Sequence, residues 1–173
     1  LIRVALIGRP NAGKSSLVNR ILGDERMIVD STPGTTRDPV DTEVTLGGQR
    51  YLIIDTAGIR RRAKVHEPME KVAVAMAEKA VNRADVAILV IDGVEGIGEQ
   101  DAKIAGLCHD AGRALIVAFN KRDLFEGGPA RERKLIEDRD RQLQFIPWAL
   151  TTFVSARSGK GVRQLLADAR RCH

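Results

Sequence analysis

The chain has 173 residues, of which 43% are hydrophobic and 29% charged, as is ordinary for one soluble globular domain. No apolar run approaches the ~20 residues of a membrane-spanning helix, and the start lacks a signal peptide, so we expect no membrane contact. The formal net charge of +5 permits contact with nucleic acid but does not establish it.

Only two cysteines occur, Cys108 and Cys172, which excludes a disulfide framework and fits a cytoplasmic protein. Cys108 and His109 invite a metal interpretation. Neighbours on a helix point about 100° apart, however, and no further cluster completes a site. A partly buried helix position is the better interpretation.

In chain order, the first predicted strand is the apolar run Val4 to Ile7, which ends in a glycine-rich turn. Residues Lys14 to Leu22 then carry apolar side chains at helical spacing. The segment Asp38 to Leu46 alternates polar and apolar residues, and Gly47-Gly48 is a hairpin signal leading into Tyr51 to Ile54. The second and third strands should therefore be antiparallel neighbours, with the second at the edge of the sheet.

The runs Val86 to Ile91 and Leu115 to Phe119 are continuously apolar, which is typical of central parallel strands covered by helices on both faces. A weaker last strand is predicted at Thr152 to Val154. Helices are predicted at Met69 to Val81, Gln100 to Ala111 and Ala130 to Leu143, and around Val162, Leu165, Leu166 and Ala169. This alternation predicts a three-layer α/β sandwich with a mostly parallel six-stranded sheet and one antiparallel edge strand.

The clearest motif is Gly8-Arg9-Pro10-Asn11-Ala12-Gly13-Lys14-Ser15, which fits the phosphate-loop pattern G-x-x-x-x-G-K-[ST] between a strand and a helix. Its glycines let backbone N–H groups cradle phosphate oxygens at a helix N-terminus. Lys14 would reach the β- and γ-phosphates, and the Ser15 hydroxyl would coordinate Mg²⁺. The alternative, a glycine-rich turn without a ligand, fits the strand–turn–helix context less well.

A second motif, Asp55-Thr56-Ala57-Gly58, ends the third predicted strand. The carboxylate of Asp55 could hold a magnesium-bound water, and the N–H of Gly58 could contact the γ-phosphate. The pattern D-x-x-G also describes many ordinary turns, so by itself it is a weak signal.

The third motif, Asn120-Lys121-Arg122-Asp123, follows the fifth predicted strand and reads N-K-x-D. Guanine presents its N1–H and N2 amine side by side, and the carboxylate of Asp123 can accept both, whereas adenine offers it an unprotonated ring nitrogen. Lys121 would lie over the base, and Asn120 would tie this loop to the phosphate loop. A helix cap is the alternative for the tetrapeptide alone.

The last predicted strand ends at Ser155-Ala156, which would place a backbone N–H beside guanine O6. We include the next residue, Arg157, among the predicted nucleotide contacts. Four motifs in this order on four strand ends indicate a guanine-nucleotide site that hydrolyses GTP. Two alternatives are a phosphate-loop kinase, which would leave N-K-x-D unexplained, and a binding module without turnover.

These residues also carry a family resemblance. The segments are G-R-P-N-A-G-K-S-S at Gly8 to Ser16, P-G-T-T-R-D at Pro33 to Asp38, I-D-T-A-G-I-R-R-R at Ile54 to Arg62, and Glu99-Gln100-Asp101. The chain resembles the translation-factor-class GTPases of the Era/EngA/MnmE group, most closely the second GTPase domain of the EngA (Der) family. It departs from that family at Arg122, where tryptophan is frequent; this side chain should point outward.

The resemblance implies further roles and partners. Thr36 would be the switch threonine that closes on Mg²⁺, and Asp30 to Thr35, with Thr35 contacting the nucleotide, would form the switch loop. Ser16 would belong to the phosphate site. The chain, which starts at Leu1, is then expected to be a piece of a larger protein. That protein would carry another GTPase domain before it, a KH-like domain after it, and a role in assembling the large ribosomal subunit on rRNA. The isolated domain is expected to be a monomer.

Two features bear on catalysis. Ile59 follows Gly58 where Ras-like proteins have a water-orienting glutamine, so the intrinsic rate should be low. Asn11 and the G-T-T-R-D loop resemble those of GTPases that use a monovalent cation, which suggests K⁺ as a second cofactor beside Mg²⁺. The triplet Arg60 to Arg62 is either a solvated loop or a nucleotide-sensitive contact with RNA or another domain.

Overall fold

The computed structural model describes residues 1–30, 40–62 and 70–173. The strands are β1 (Ile2–Ile7), β2 (Ile28–Asp30), β3 (Thr42–Leu46), β4 (Gln49–Ile53), β5 (Val86–Asp92), β6 (Ala114–Asn120) and β7 (Leu150–Phe153). The helices are α1 (Lys14–Gly23), α2 (Thr56–Arg62), α3 (Glu70–Arg83), α4 (Glu99–Asp110), α5 (Pro129–Gln142) and α6 (Val162–Cys172).

The strands form one sheet in the order β2-β3-β4-β1-β5-β6-β7. β3 is antiparallel to β2 and to β4, and the other pairs are parallel. The predicted α/β fold class is therefore confirmed. Two details differ, since the sheet has seven strands within the described residues rather than six, and β3 lies inside it rather than at the edge. The added edge strand, β2, has three residues and an exposed Ile28, so it is too short to show an alternating pattern.

Two hydrophobic cores make the three layers. On one face of the sheet, α1 and α6 pack with residues such as Leu17, Ile21 and Leu165. On the other face, α3, α4 and α5 contribute Val81, Ile104 and Leu135 among others. β5 and β6 are buried along their whole length apart from the half-buried first residue of β6, because helices cover both of their faces.

Cys108 belongs to the second core, and burial raises the pKa of its thiol to about 12. Nowhere in the described part of the chain do three His, Cys, Asp or Glu side chains meet in an arrangement that could hold a metal ion. Cys108 is 0% exposed, so it is fully buried rather than partly buried as the sequence predicts. Within residues 1–30, 40–62 and 70–173, no helix has the length and apolar composition to cross a bilayer.

Candidate functional site

The phosphate loop connects β1 to α1 at the carboxyl edge of the sheet. Gly8 has φ 149° and Gly13 has φ 103°. A Cβ atom at Gly8 would overlap the carbonyl oxygen of Val90, and one at Gly13 would overlap the side-chain amide of Asn120. The loop therefore needs glycine at both places, because neighbouring strand ends press against its backbone.

Lys14 begins α1, and its ammonium folds back over the loop. Nζ donates to the carbonyl oxygens of Gly8 at 2.6 Å and Arg9 at 2.9 Å. Burial, and then the positive charge of Arg62, lower the pKa of Lys14 from 10.5 to about 8, against an opposing effect of Asp101. The site thus holds a partly desolvated cation at a helix N-terminus, which is an arrangement that attracts anions.

Lys14 faces a cavity of about 600 Å³. The predicted site residues on its wall are Gly8, Pro10, Asn11, Gly13, Lys14, Ser15, Ser16, Asp55 and Lys121. Its other wall is apolar and comes from Ile54, Ile59 and the inward side of α3. The fold therefore brings the phosphate loop, the end of β4 and the end of β6 to one cavity.

Both carboxylate oxygens of Asp55 are hydrogen-bonded to residues of α2. It has φ 53°, and its Oδ1 accepts from the backbone N–H of Gly58 at 3.2 Å. Its Oδ2 accepts from Nη2 of Arg62 at 3.3 Å. The sequence predicts that the Gly58 N–H faces the γ-phosphate, whereas here it donates to Asp55, because residues 56–62 form α2 and turn this N–H back onto the carboxylate.

The arginine triplet is likewise part of α2, so these residues form a helix rather than a loop, and the choice between a solvated surface and a contact surface stays open. Arg60 donates from Nε to Oδ1 of Asn19 at 3.1 Å, and Arg62 lies on the cavity wall. Arg61 remains exposed. A helix places consecutive side chains on different faces, so the three arginines have different neighbours.

Asn120 joins the two halves of the site. Its Nδ2 donates to the carbonyl oxygen of Ala12 at 3.0 Å, which confirms the predicted tie to the phosphate loop. Its Oδ1 accepts from the backbone N–H of Ala156 at 3.0 Å. The sequence predicts a backbone N–H of Ser155-Ala156 beside guanine O6, but in this structure both N–H groups already have partners, that of Ser155 in Lys160 and that of Ala156 in Asn120. Asn120 is 3% exposed, and its contacts are correspondingly well shielded from water.

Asp123 is oriented by a neighbouring loop. The hydroxyl of Ser155 donates to Oδ1 of Asp123 at 2.8 Å and accepts from the N–H of Ser158 at 3.0 Å. Arg122 lies between Lys121 and Asp123 in the motif. Its side chain pairs with Glu132 of α5 at 2.9 Å and is absent from the cavity wall.

Lys121 has a partner that sequence reasoning missed. Its Nζ lies 2.7 Å from Oδ2 of Asp92, the last residue of β5. Burial alone would raise the pKa of Asp92, but hydrogen bonds from Lys121 and from the N–H groups of Val94 and Glu95 lower it. The position of an aspartate at a strand end was the available signal for this contact.

Several predicted contacts do not line the cavity, namely Arg9, Ala12, Gly58, Asn120, Asp123, Ser155, Ala156 and Arg157. The side chain of Arg9 turns to the fully buried Asp101, with Nε 3.1 Å from Oδ1 and Nη2 3.1 Å from Oδ2. Arg157 is exposed, and its carbonyl accepts from Arg20. Thr35 and Thr36, with the rest of the P-G-T-T-R-D motif, lie outside the described residues.

The sequence model of the family described as "50S ribosome-binding GTPase" matches residues 3–121. The chain belongs to this GTPase family. GTPase Der of Clostridium perfringens (strain SM101 / Type A) is 45% identical over 172 residues, which cover 99% of this chain and 39% of that protein. GTPase Der of Staphylococcus haemolyticus is 48% identical over 164 residues, covering 95% of this chain and 38% of the relative. The predicted resemblance to EngA (Der) is confirmed, and the assignment to its second GTPase domain stays a prediction.

The chain thus spans 39% and 38% of the length of these two relatives. Among solved structures, Era in complex with MgGDPNP and nucleotides 1506–1542 of 16S ribosomal RNA aligns with TM-score 0.70 and 25% identity. That alignment covers 99% of this chain and 56% of the Era chain. The elongation factor SelB of Methanococcus maripaludis, in complex with GppNHp, aligns with TM-score 0.71 and 18% identity over 98% of this chain and 34% of its own, which supports the fold alone.

Proposed function

We propose that this domain binds GTP and GDP with Mg²⁺ and hydrolyses GTP to GDP and phosphate. The observation that carries the proposal is the pair of hydrogen bonds from Asn120 to Ala12 and from Ala156 to Asn120. Asn120 thereby ties the phosphate loop to the loop after β7, where Ser155 donates to Asp123, whose carboxylate is the acceptor that guanine requires. A phosphate site alone would suit many nucleotides, whereas the two together favour guanine.

The residues on the cavity fit a magnesium nucleotide. Ser15 and Asp55 present a hydroxyl and a carboxylate, the hard oxygen donors that Mg²⁺ prefers, and Asp55 would act through a water. Bound Mg²⁺ supplies positive charge to the β- and γ-phosphate oxygens. Lys14 would hold those oxygens from the other side, and Thr36 would complete the magnesium site.

Hydrolysis should be slow and stimulated by K⁺. Ile59 is 5% exposed and aliphatic, so it offers no hydrogen bond to an attacking water. Asn11 lies on the cavity wall, where its side-chain oxygen could bind a monovalent cation together with phosphate oxygens. A cation there would offset the charge that builds on the bridging oxygen as the bond breaks.

We further propose that the domain works as a nucleotide-dependent switch in a larger cytoplasmic protein that assembles the large ribosomal subunit. The family's description as ribosome-binding supports this role, and so does the similarity to GTPase Der. The flanking GTPase and KH-like domains belong to the same proposal. Arg60 and Arg61 on α2 are the basic residues that we expect to contact RNA when nucleotide reshapes the segment after Asp55.

A single-turnover assay of phosphate release tests the activity. Protein is mixed with Mg²⁺ and either GTP or ATP. Release of phosphate is measured, together with any transfer of labelled phosphate to protein or to a small molecule. We expect the wild-type protein to release phosphate from GTP but not from ATP, and the Lys14→Ala variant to release none from either nucleotide. Phosphate transfer to another acceptor would indicate a kinase, and GTP bound without release would indicate a binding module.

The ribosome role is tested with the full-length protein. Binding to isolated large subunits is measured by sedimentation, with GDP and with a non-hydrolysable GTP analogue. We expect stronger binding with the analogue, and weaker, less salt-dependent binding by the double variant Arg60→Ala/Arg61→Ala. Equal binding by wild type and this variant would assign the two arginines to a solvated surface.

A further inference from the structure

Helix α1 contacts the base side of the site as well as the phosphate side. Arg20 lies further along α1 than Lys14, and its guanidinium reaches the loop that follows β7. Its Nε donates to the carbonyl oxygen of Ala156 at 2.9 Å, and its Nη2 donates to the carbonyl oxygen of Arg157. Among the described residues, these are the hydrogen bonds that join α1 to residues 155–161, and no sequence motif predicts them.

The contacted loop is the one that orients the base-selecting groups. Ser155 donates to Asp123, and the Ala156 N–H donates to Asn120. The loop also closes on itself, with the N–H of Gly159 on the carbonyl oxygen of Ser155 at 2.8 Å. Ala156 is therefore held on its N–H side by Asn120 and on its carbonyl side by Arg20.

The backbone of the loop is shaped to admit the arginine. Gly159 has φ +86°, and a Cβ atom there would come within 3.3 Å of Cδ of Arg20. Between α1 and the loop lies an open cleft of about 310 Å³ bordered by Ser16, Asn19, Arg20, Gly23 and Ala156. Ala156 also belongs to the hydrophobic core that contains Leu17, Val18 and Ile21 of α1, so the hydrogen bonds of Arg20 add to apolar packing between the helix and the loop.

We propose that Arg20 is a positioning residue for base selection. By holding the carbonyl groups of Ala156 and Arg157, it keeps Ser155 on Asp123 and the Ala156 N–H on Asn120, and so orients the side chains that select the base. The inference rests on the proposed GTP function and adds to it a residue outside the four nucleotide motifs. Because an arginine forks to two acceptors, lysine cannot fully replace it.

The chain offers a matched control in Arg163. Its Nε lies 3.1 Å from Oδ2 of Asp24, so it joins α6 to the end of α1 without touching the base loop. Arg163→Ala therefore removes an arginine contact of α1 while leaving residues 155–157 in place. Any general effect of loosening α1 should appear in this variant as well.

The test compares Arg20→Ala, Arg20→Lys and Arg163→Ala with wild type. Affinities for GDP and for ADP are measured by competition against a fluorescent guanine nucleotide, and thermal unfolding is recorded for each protein. For Arg20→Ala we expect GDP affinity to fall about tenfold while ADP affinity changes by less than about twofold, the scale of one charge-assisted hydrogen bond lost. The ratio of GDP affinity to ADP affinity in Arg20→Lys should lie between those of Arg20→Ala and wild type. Arg163→Ala should keep the wild-type ratio.

Several results would overturn the inference. Equal loss of GDP and ADP affinity in Arg20→Ala, or a reduced ratio in Arg163→Ala, would mean that Arg20 only stabilises the fold. If Arg20→Ala fails to fold, the ratio in Arg20→Lys decides, and a wild-type ratio there rejects the positioning role. If wild type itself binds GDP no better than ADP, the proposed function fails, and this inference with it.

Discussion

Arg62 donates from Nη2 to Oδ2 of Asp55 across 3.3 Å, on the wall of the cavity that also holds Lys14. The other oxygen of Asp55 accepts from the N–H of Gly58. Both oxygens of the carboxylate that we propose to serve Mg²⁺ are therefore engaged by α2. A bound Mg²⁺ would place a second cation near Arg62, so the ion, through its bound water, and the guanidinium would compete for the same carboxylate.

Arg62→Ala should lower the Mg²⁺ concentration needed for half-maximal GDP binding. The Arg62 side chain is 35% exposed, so the pair is partly screened and we expect a change of about fivefold or less. Arg61→Ala is the matched control on the same helix and should behave as wild type. GDP affinity is also measured in EDTA, where no Mg²⁺ is bound. This measurement separates the effect on Mg²⁺ from the loss of direct attraction between Arg62 and phosphate. A higher Mg²⁺ requirement in Arg62→Ala would contradict the competition.

GDP affinity should decrease as the pH rises above about 8, where burial and Arg62 have placed the pKa of Lys14. The protonated form binds phosphate, so nucleotide raises this pKa and binding takes up a proton; high pH therefore weakens binding. Arg62→Ala removes a cause of the lowered pKa and should move the midpoint to higher pH, whereas Arg61→Ala should not. Calorimetry in buffers of different ionisation enthalpy measures the proton uptake. Because guanine itself ionises at alkaline pH, variants are compared with the same nucleotide, and a midpoint unmoved in Arg62→Ala would contradict the assignment.

The Asp123→Asn variant should prefer xanthine nucleotides to guanine nucleotides. The substitution turns one acceptor into a donor, and xanthine has a carbonyl where guanine has its amine. A site that loses such paired donors typically discriminates by on the order of 10⁴. Ser155→Ala should weaken GDP binding by only about tenfold, since Asp123 keeps its charge and loses one orienting hydrogen bond. Equilibrium binding of GDP and XDP to each variant checks both expectations. Wild-type GDP affinity in Asp123→Asn would remove Asp123 from the base site.

GTP turnover should be faster in KCl than in NaCl at matched ionic strength, and Asn11 should carry this difference. Asn11 has φ 70°, a conformation that alanine adopts with strain, so Asn11→Gly is the cleaner variant. It should lose the potassium stimulation, which we expect to be smaller than the roughly 10³- to 10⁵-fold effect of an arginine finger. Equal rates in both salts for wild type would reject the cation. Stimulation that survives in Asn11→Gly would keep the cation and exclude Asn11 from its ligands.

The contact between Arg9 and Asp101 should contribute to stability rather than to nucleotide binding. The Asp101 side chain is 0% exposed and that of Arg9 is 27% exposed, so Asp101→Ala deprives a poorly solvated guanidinium of its buried partner and the Gly98 N–H of its acceptor. We expect a loss of about 3 kcal/mol in the free energy of unfolding, measured by urea denaturation. Glu95→Ala removes the exposed second partner of Arg9 and should cost less than about 1 kcal/mol. Similar losses in the two variants would show that burial of Asp101 is not what matters.

The sequence alone determined the parts of this protein that depend on local pattern. The apolar runs at Val86 to Ile91 and Leu115 to Phe119 became the central strands β5 and β6 because strands covered on both faces must be apolar throughout. The glycines at Gly8 and Gly13 marked a turn whose backbone angles are difficult for other residues. The order of the motifs on strand ends indicated the site, since parallel strands bring their carboxyl ends to one edge.

Only the tertiary structure decided which side chains complete the site. Arg20 meets a loop 136 residues later in the chain, and Lys121 meets Asp92 on the neighbouring strand. No spacing pattern relates such residues, because their separation depends on the order of strands in the sheet and on how α1 packs against it. The pairing of Arg62 with Asp55 depends in the same way on α2 being a helix, which turns the side chain and the Gly58 N–H onto one carboxylate. Local periodicity predicted the longer elements but neither β2 nor α2, whereas contacts between distant elements follow from how their buried faces pack together.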